Sequence, residues 1–166
     1  KLPVEYNEQA IYVFDKDKEM QNTNIGIFMK HDVFPEEMKS SQAYYIDSYM
    51  KTMISMMLNQ RFSEMKQKAD CPFTSAGGYD GNFMLSSTKD AFSLSCSAKE
   101  GKDIEALKAI YREALRVRQY GFTPSEFERT KQELLSQLES EYTNRDKVTS
   151  SQYGDELRDH FLKNEP

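Results

Sequence analysis

The sequence predicts an α+β fold: an antiparallel sheet with helices packed on one face. Two observations lead there. Phe92, Leu94, Cys96 and Ala98 alternate strictly with Ser93, Ser95, Ser97 and Lys99, the period-two mark of a strand with one wet side. Two other stretches, Ala43 to Met65 and Ile104 to Val117, carry apolar residues at three- and four-residue spacings, the signature of helices with one buried stripe. Strand and helix periods alternate along the chain, and sequential antiparallel strands with helices on one face satisfy that order.

Taken in order, Ala10 to Phe14 is a short apolar run closed by the charged turn Asp15-Lys16-Asp17-Lys18-Glu19 and reads as a first strand. Ile25, Ile27 and Met29, alternating with Asn24, Gly26 and Phe28, predict a second strand. A long helix follows on Ala43, Ile46, Met50, Met53, Ile54, Met57, Phe62 and Met65, and Pro72 ends it. Its methionines read as core, with a pliable peptide-binding wall as the alternative. Gly77-Gly78, Asp80-Gly81-Asn82 and Ser87 to Asp90 read as turns around a strand at Phe83-Met84-Leu85, before the strand at Phe92 to Ala98.

The second half is helical. Gly121 stops the helix that begins near Ile104. Thr123 caps the next one, Pro124 takes its first position, and Glu126 completes a capping box with Thr123, flanked by Phe122 and Phe127. Phe127, Leu134, Leu138 and Tyr142 continue its apolar stripe, and a last short helix is expected around Gln152 to Leu162. The whole reads as two strands, a long helix, about three strands, then two or three helices.

Composition bounds the function. The 166 residues are enough for one domain with a substantial core. Ten Phe and ten Tyr make the chain too aromatic for disorder, and 30% charged residues make it too polar for a membrane span. A formal net charge of -5 points away from nucleic acid and from anionic membrane surfaces. Two cysteines, Cys71 and Cys96, are too few for a disulfide framework; Cys96 reads as a small buried side chain. The chain begins at Lys1 rather than Met and ends on the polar Lys163-Asn164-Glu165-Pro166, so a single domain, 1–166, excised from a longer multidomain protein is expected.

Two distant segments carry a resemblance. One is Leu58-Asn59-Gln60-Arg61-Phe62-Ser63-Glu64-Met65, running on to Cys71-Pro72-Phe73-Thr74-Ser75-Ala76-Gly77. The other is the joint Gly121-Phe122-Thr123-Pro124-Ser125-Glu126. With the opening Leu2-Pro3 and Ile11 to Asp15, in this order and spacing, they resemble the second, C-terminal-type domain of a bacterial pitrilysin/insulinase-type zinc metallopeptidase, akin to the processing peptidases. The resemblance spans roughly residues 8 to 163.

That resemblance implies a peptide-hydrolysing parent with zinc held by a His-x-x-Glu-His motif and a distal Glu. This chain has two histidines, His31 and His160, and neither has a His partner at motif spacing. Glu156-Leu157-Arg158-Asp159-His160 has the spacing without the ligands and reads as a solvated face; His31 reads as a surface histidine. No Gly-x-Ser-x-Gly elbow, phosphate-binding glycine loop or Cys-His pair is present either. The expectation is therefore a chain with no catalytic residue and no metal or cofactor of its own, zinc belonging to the parent.

The resemblance also implies substrate-binding positions. Many family members place an Arg after the long helix and a Tyr about seven residues on, both reaching substrate from the non-catalytic half. The matching positions are Lys66 and Phe73, with Arg61 as a substitute cation whose other reading is a structural salt bridge. Lys lacks the bidentate guanidinium fork, and Phe lacks the hydroxyl. The implied partners are the parent's catalytic domain and a peptide. The implied compartment is the bacterial periplasm or cell envelope. The alternatives are a zinc-free scaffold or peptide-binding module, and an unrelated domain forming a homo-oligomer through its long helix.

Overall fold

A computed structural model describes residues 3–164. Leu2 of the opening dipeptide and Glu165-Pro166 of the linker-like ending lie outside them. In chain order the elements are β1 (Thr23–Asp32), α1 (Gln42–Lys66), β2 (Phe73–Asn82), β3 (Lys89–Ala98), α2 (Asp103–Tyr120), α3 (Pro124–Thr143) and α4 (Ser150–Lys163). Single 3-10 turns occupy Glu36–Met38 and Arg145–Lys147. The chain forms two compact units. One holds the chain up to Val33 together with Ser55–Phe122; the other holds Phe34–Ile54 together with the chain from Thr123 on.

The first unit contains the sheet, antiparallel throughout, in the order β1-β3-β2. Its register sets Ile27 opposite Leu94 and Leu94 opposite Gly78. The period-two face read in the sequence is the core face. Leu94, Cys96 and Ala98 of β3 meet Leu58 and Phe62 from the second half of α1 and Ala106 and Ile110 from α2, with Cys71 and Phe73 completing the cluster. Leu58 and Phe62 are one helical turn apart, as are Ala106 and Ile110, so each helix offers one stripe to the same side of the sheet. The expected fold class, an antiparallel sheet with helices on one face, is the observed one.

Several elements differ from expectation. Ala10 to Phe14 is not a strand; it is irregular chain outside the sheet. Phe83 to Leu85 is not a strand but the start of the β2–β3 connection, where Met84 takes a left-handed backbone (φ 52°) and the Ser86 hydroxyl accepts from the Thr88 and Lys89 amides. The sheet thus has three strands rather than about five. Gly77-Gly78 and Asp80-Gly81-Asn82 are not turns; they lie inside β2. A strand glycine often marks close approach rather than a bend, and Gly78 is such a case. A Cβ there would sit 2.6 Å from Leu58 Cδ2 and 3.2 Å from Leu94 Cδ2. The methionine stripe is core only in part: Met57 is buried, Met53, Met56 and Met65 are half-buried, and Met50 is exposed.

Asn59 explains why α1 comes so close. Its Oδ1 accepts from the Gly78 amide (2.7 Å) and its Nδ2 donates to the Gly78 carbonyl (3.1 Å), so one side-chain amide grips both backbone groups of one residue. The Gly78→Ala variant is expected to lose about 1–3 kcal/mol of stability through overpacking against Leu58 and Leu94. Urea denaturation checks this: the midpoint drops while the slope is unchanged.

Cys71 and Cys96 are free thiols, both buried. Burial, and then the neighbouring Cys71, pushes the Cys96 thiol up from 9.0 to about 11. The folded state thus favours the protonated thiol more than the unfolded chain does. That contribution is complete below about pH 9 and is lost as pH rises through about 11. Stability is therefore expected to fall across this window more steeply in the native chain than in the Cys96→Ala variant, which denaturation midpoints at pH 8 through 11 would record.

The second unit is helical. The capping box expected at Thr123 is present: the Glu126 amide donates to Thr123 Oγ1 (3.3 Å) and the Thr123 amide to Glu126 Oε2 (2.7 Å). A second box, Thr149 with Gln152, starts α4. Left-handed Asn164 ends α4, and its Nδ2 donates to the Glu36 carbonyl (2.9 Å). Lys39 Nζ donates to the Lys163 carbonyl (3.1 Å), a second tie between the two chain segments of this unit.

Candidate functional site

The three expected substrate-binding residues lie close together in the first unit, at the end of α1 and the start of β2. The structure gives each a different setting. Lys66 is the last residue of α1 and is exposed. It lines a shallow cleft of about 210 Å³ with Asn59, Phe62, Ser63, Ser75 and Ala76, between the helix and the first residues of β2. The Asn59 grip on Gly78 holds this helix against the strand and so fixes the cleft's walls.

Phe73 points the other way. It is 1% exposed and sits edge-to-face on Phe62, with ring centroids 6.3 Å apart at 88°. Its ring is a core group, so Phe73 is not placed to meet substrate as the resemblance implied; burial against Phe62 takes the ring out of reach. Arg61 is engaged as well. Nη1 pairs with Glu113 Oε1 at 2.9 Å, Nη2 donates to the Gly121 carbonyl at 3.2 Å, and the guanidinium lies 4.8 Å from the Phe122 ring centroid. Both ends of the ion pair are nearly buried, at 10% and 8% side-chain exposure. Arg61 thus joins α1 to α2 and to the segment after it, the structural salt bridge read as its other role.

The remaining candidates are settled by their neighbours. His31 is not a plain surface histidine: it lies half-buried near the end of β1, with Nε2 at 3.1 Å from Asp80 Oδ2 across the central strand and Nδ1 at 2.9 Å from the Asp32 carbonyl. Asp32 also pairs with Lys89, whose hydrogen bond holds the Asp32 carboxyl below the usual range. Glu156, Asp159 and His160 lie on the polar face of α4, where Asp159 pairs with Arg158 (3.2 Å) and Lys163 (3.3 Å). Those hydrogen bonds, Arg158 first, lower the Asp159 carboxyl. Among the described residues, no three His, Cys, Asp or Glu side chains come together as a metal-ligand set.

Chemically, the Lys66 cleft offers an exposed cation at the rim of a groove lined by Asn59, Ser63 and Ser75. Such a lining suits the carbonyls or a carboxylate of an extended peptide rather than a bond-breaking step. The sequence named Lys66 but missed Asn59 as the residue that shapes the groove. The only sequence-level signal was a polar residue between Leu58 and Phe62 with a Gly-Gly pair downstream.

No protein-family model matches the chain, and neither does a curated protein. Among solved structures it is similar to the first half of the periplasmic protease PqqL from Escherichia coli, with a TM-score of 0.77 and 17% identity over 90% of this chain and 31% of that one. It is similar also to the PqqL structure itself, with a TM-score of 0.75 and 18% identity over 90% of this chain and 16% of that one. No helix among the described residues is long and apolar enough to cross a membrane. The chain therefore has the fold of one part, about a third, of the first half of a periplasmic protease.

Proposed function

We propose that this chain is a non-catalytic domain of a zinc-dependent metalloendopeptidase of the pitrilysin/insulinase type. In this reading it packs against a zinc-bearing domain of the same parent and helps enclose a peptide substrate, in the periplasm or cell envelope. The observation that carries the reading is the fold likeness to a portion of a protease half. A second observation supports it. The first half of α1 exposes Tyr45, Ile46, Tyr49 and Met50, and α4 exposes Leu157, Phe161 and Leu162, an amount of apolar surface that calls for a neighbouring domain. In the assembled parent, zinc and the water it activates belong to the other domain, and Lys66 meets the peptide from this one.

The test uses the full-length parent. Zinc near one per chain by plasma mass spectrometry, with cleavage of an unstructured peptide, is the expected result. Lys66→Ala in that parent is expected to raise KM roughly five-fold, about 1 kcal/mol, with kcat nearly unchanged, because Lys66 holds the substrate and does no chemistry. Zinc bound stoichiometrically by this domain alone would sink the reading. The zinc-free peptide-binding module is favoured by one feature: with Phe73 in the core and Arg61 in an ion pair, Lys66 remains as the exposed one of the three. A parent that holds no zinc yet binds peptide through the Lys66 cleft would decide for it.

A further inference from the structure

The polar groups that the Lys66 cleft leaves for a ligand are of one kind. Asn59 turns both of its side-chain polar atoms to Gly78, Oδ1 to the amide and Nδ2 to the carbonyl. Phe62 and Ala76 supply apolar wall. What remains is the Lys66 ammonium and the hydroxyls of Ser63 and Ser75, all on exposed residues. Among the described residues, no hydrogen bond or ion pair joins any of these three groups to another residue. A cation and two hydroxyl donors thus share one small cleft.

The charge is uncompensated. No acidic side chain lines the cleft. The other cation of this half of α1, Arg61, is paired with Glu113, whereas Lys66 keeps its full charge for a ligand. The carbonyl end of α1 opposes an anion with a partial charge of about half a unit, which the ammonium outweighs. A neutral carbonyl is also an acceptor, but a bond to an ionised one is roughly twice as strong. Lysine presents a compact point charge on a flexible stem rather than a planar fork, so it selects by charge more than by shape. The cleft, about 210 Å³, admits one side chain or one chain end and not a folded partner.

We infer that Lys66, with Ser63 and Ser75, forms a carboxylate-reading subsite. Its ligand is the side chain of an Asp or Glu in a peptide, or the peptide's free C-terminal carboxylate. The inference rests on the peptide-holding reading above and adds a substrate class to it. Acidic peptides are held in preference to neutral ones, and a Lys or Arg at the same point is repelled.

Binding rather than cleavage tests this. The full-length parent, with a zinc chelator present so that no bond is cut, is titrated into a fluorescein-labelled peptide and anisotropy is read. The peptide is an unstructured chain of Ala, Gly and Ser with one Glu and a free C-terminus. Three relatives are compared with it: Gln in place of the Glu, Lys in place of the Glu, and a C-terminal amide. Either the Gln or the amide peptide is expected to bind about five- to ten-fold more weakly, with the difference shrinking as salt rises. Loss with Gln identifies a side-chain carboxylate, and loss with the amide identifies the chain end. Lys66→Gln is expected to erase the preference. Lys66→Glu is expected to reverse it toward the Lys peptide, with the melting temperature of both variants unchanged because the residue is exposed. Equal affinities for all four peptides would overturn the inference, as would no measurable binding of any, or a preference that survives Lys66→Gln. A parent without zinc or cleavage would sink the peptidase reading and leave this measurement standing.

Discussion

Replacing Glu113 with alanine is expected to lower stability by about 3–5 kcal/mol, because it removes one partner of a nearly buried ion pair. Arg61 Nη1 pairs with Glu113 Oε1 at 2.9 Å, Nη2 donates to the Gly121 carbonyl, and the guanidinium lies against the Phe122 ring. Glu113 also draws Arg116 Nη1 to 3.6 Å, but Arg116 is 61% exposed and adds little. Thermal and urea denaturation of Glu113→Ala measure the loss. The double replacement Arg61→Met with Glu113→Leu is expected to recover most of it, since an apolar pair of similar volume incurs no desolvation penalty. A loss under 1 kcal/mol in Glu113→Ala would mean that water reaches the pair and that the junction is held by packing alone.

The Phe73→Ala variant is expected to cost about 3–5 kcal/mol, the range for emptying an aromatic site in a core. Phe73 is buried against Phe62, between the end of α1 and the start of β2. The result separates two meanings of one sequence position. A residue that meets substrate can be truncated with little loss of stability; a core ring cannot. A Phe73→Ala protein as stable as the native chain would return the ring to the list of substrate contacts.

These two residues also mark how far the sequence could be read. The helices and β3 were legible because each repeats a local period, and the Thr123–Glu126 box because all its parts lie within four residues. The setting of Arg61 was not, since its partner Glu113 lies 52 positions away. Spacing within α1 could say that Arg61 shares a face with Met57 and Met65, but not what stood opposite. The same limit hid the Asn59–Gly78 grip and the His31–Asp80 contact, 19 and 49 positions apart. The glycines of β2 misled for a physical reason: glycine is needed both where a chain turns and where a neighbour presses close, and composition does not distinguish the two. Lys66 was named because the resemblance implies a cation after the long helix, although its cleft depends on a residue that no motif named.

The strand order sets the sequence of events in folding. β2 and β3 are joined by residues 83–88, whereas the last pair of β1 with β3, Asp32 with Lys89, spans 57 positions. Closing the longer loop costs about 2 kcal/mol more chain entropy than closing the short one. The β2–β3 hairpin with α1 laid across it is thus the natural nucleus, and β1 arrives last, onto a surface already built. Damage in β1 then shows itself as faster unfolding, while damage at Leu58, Gly78 or Leu94 slows folding itself.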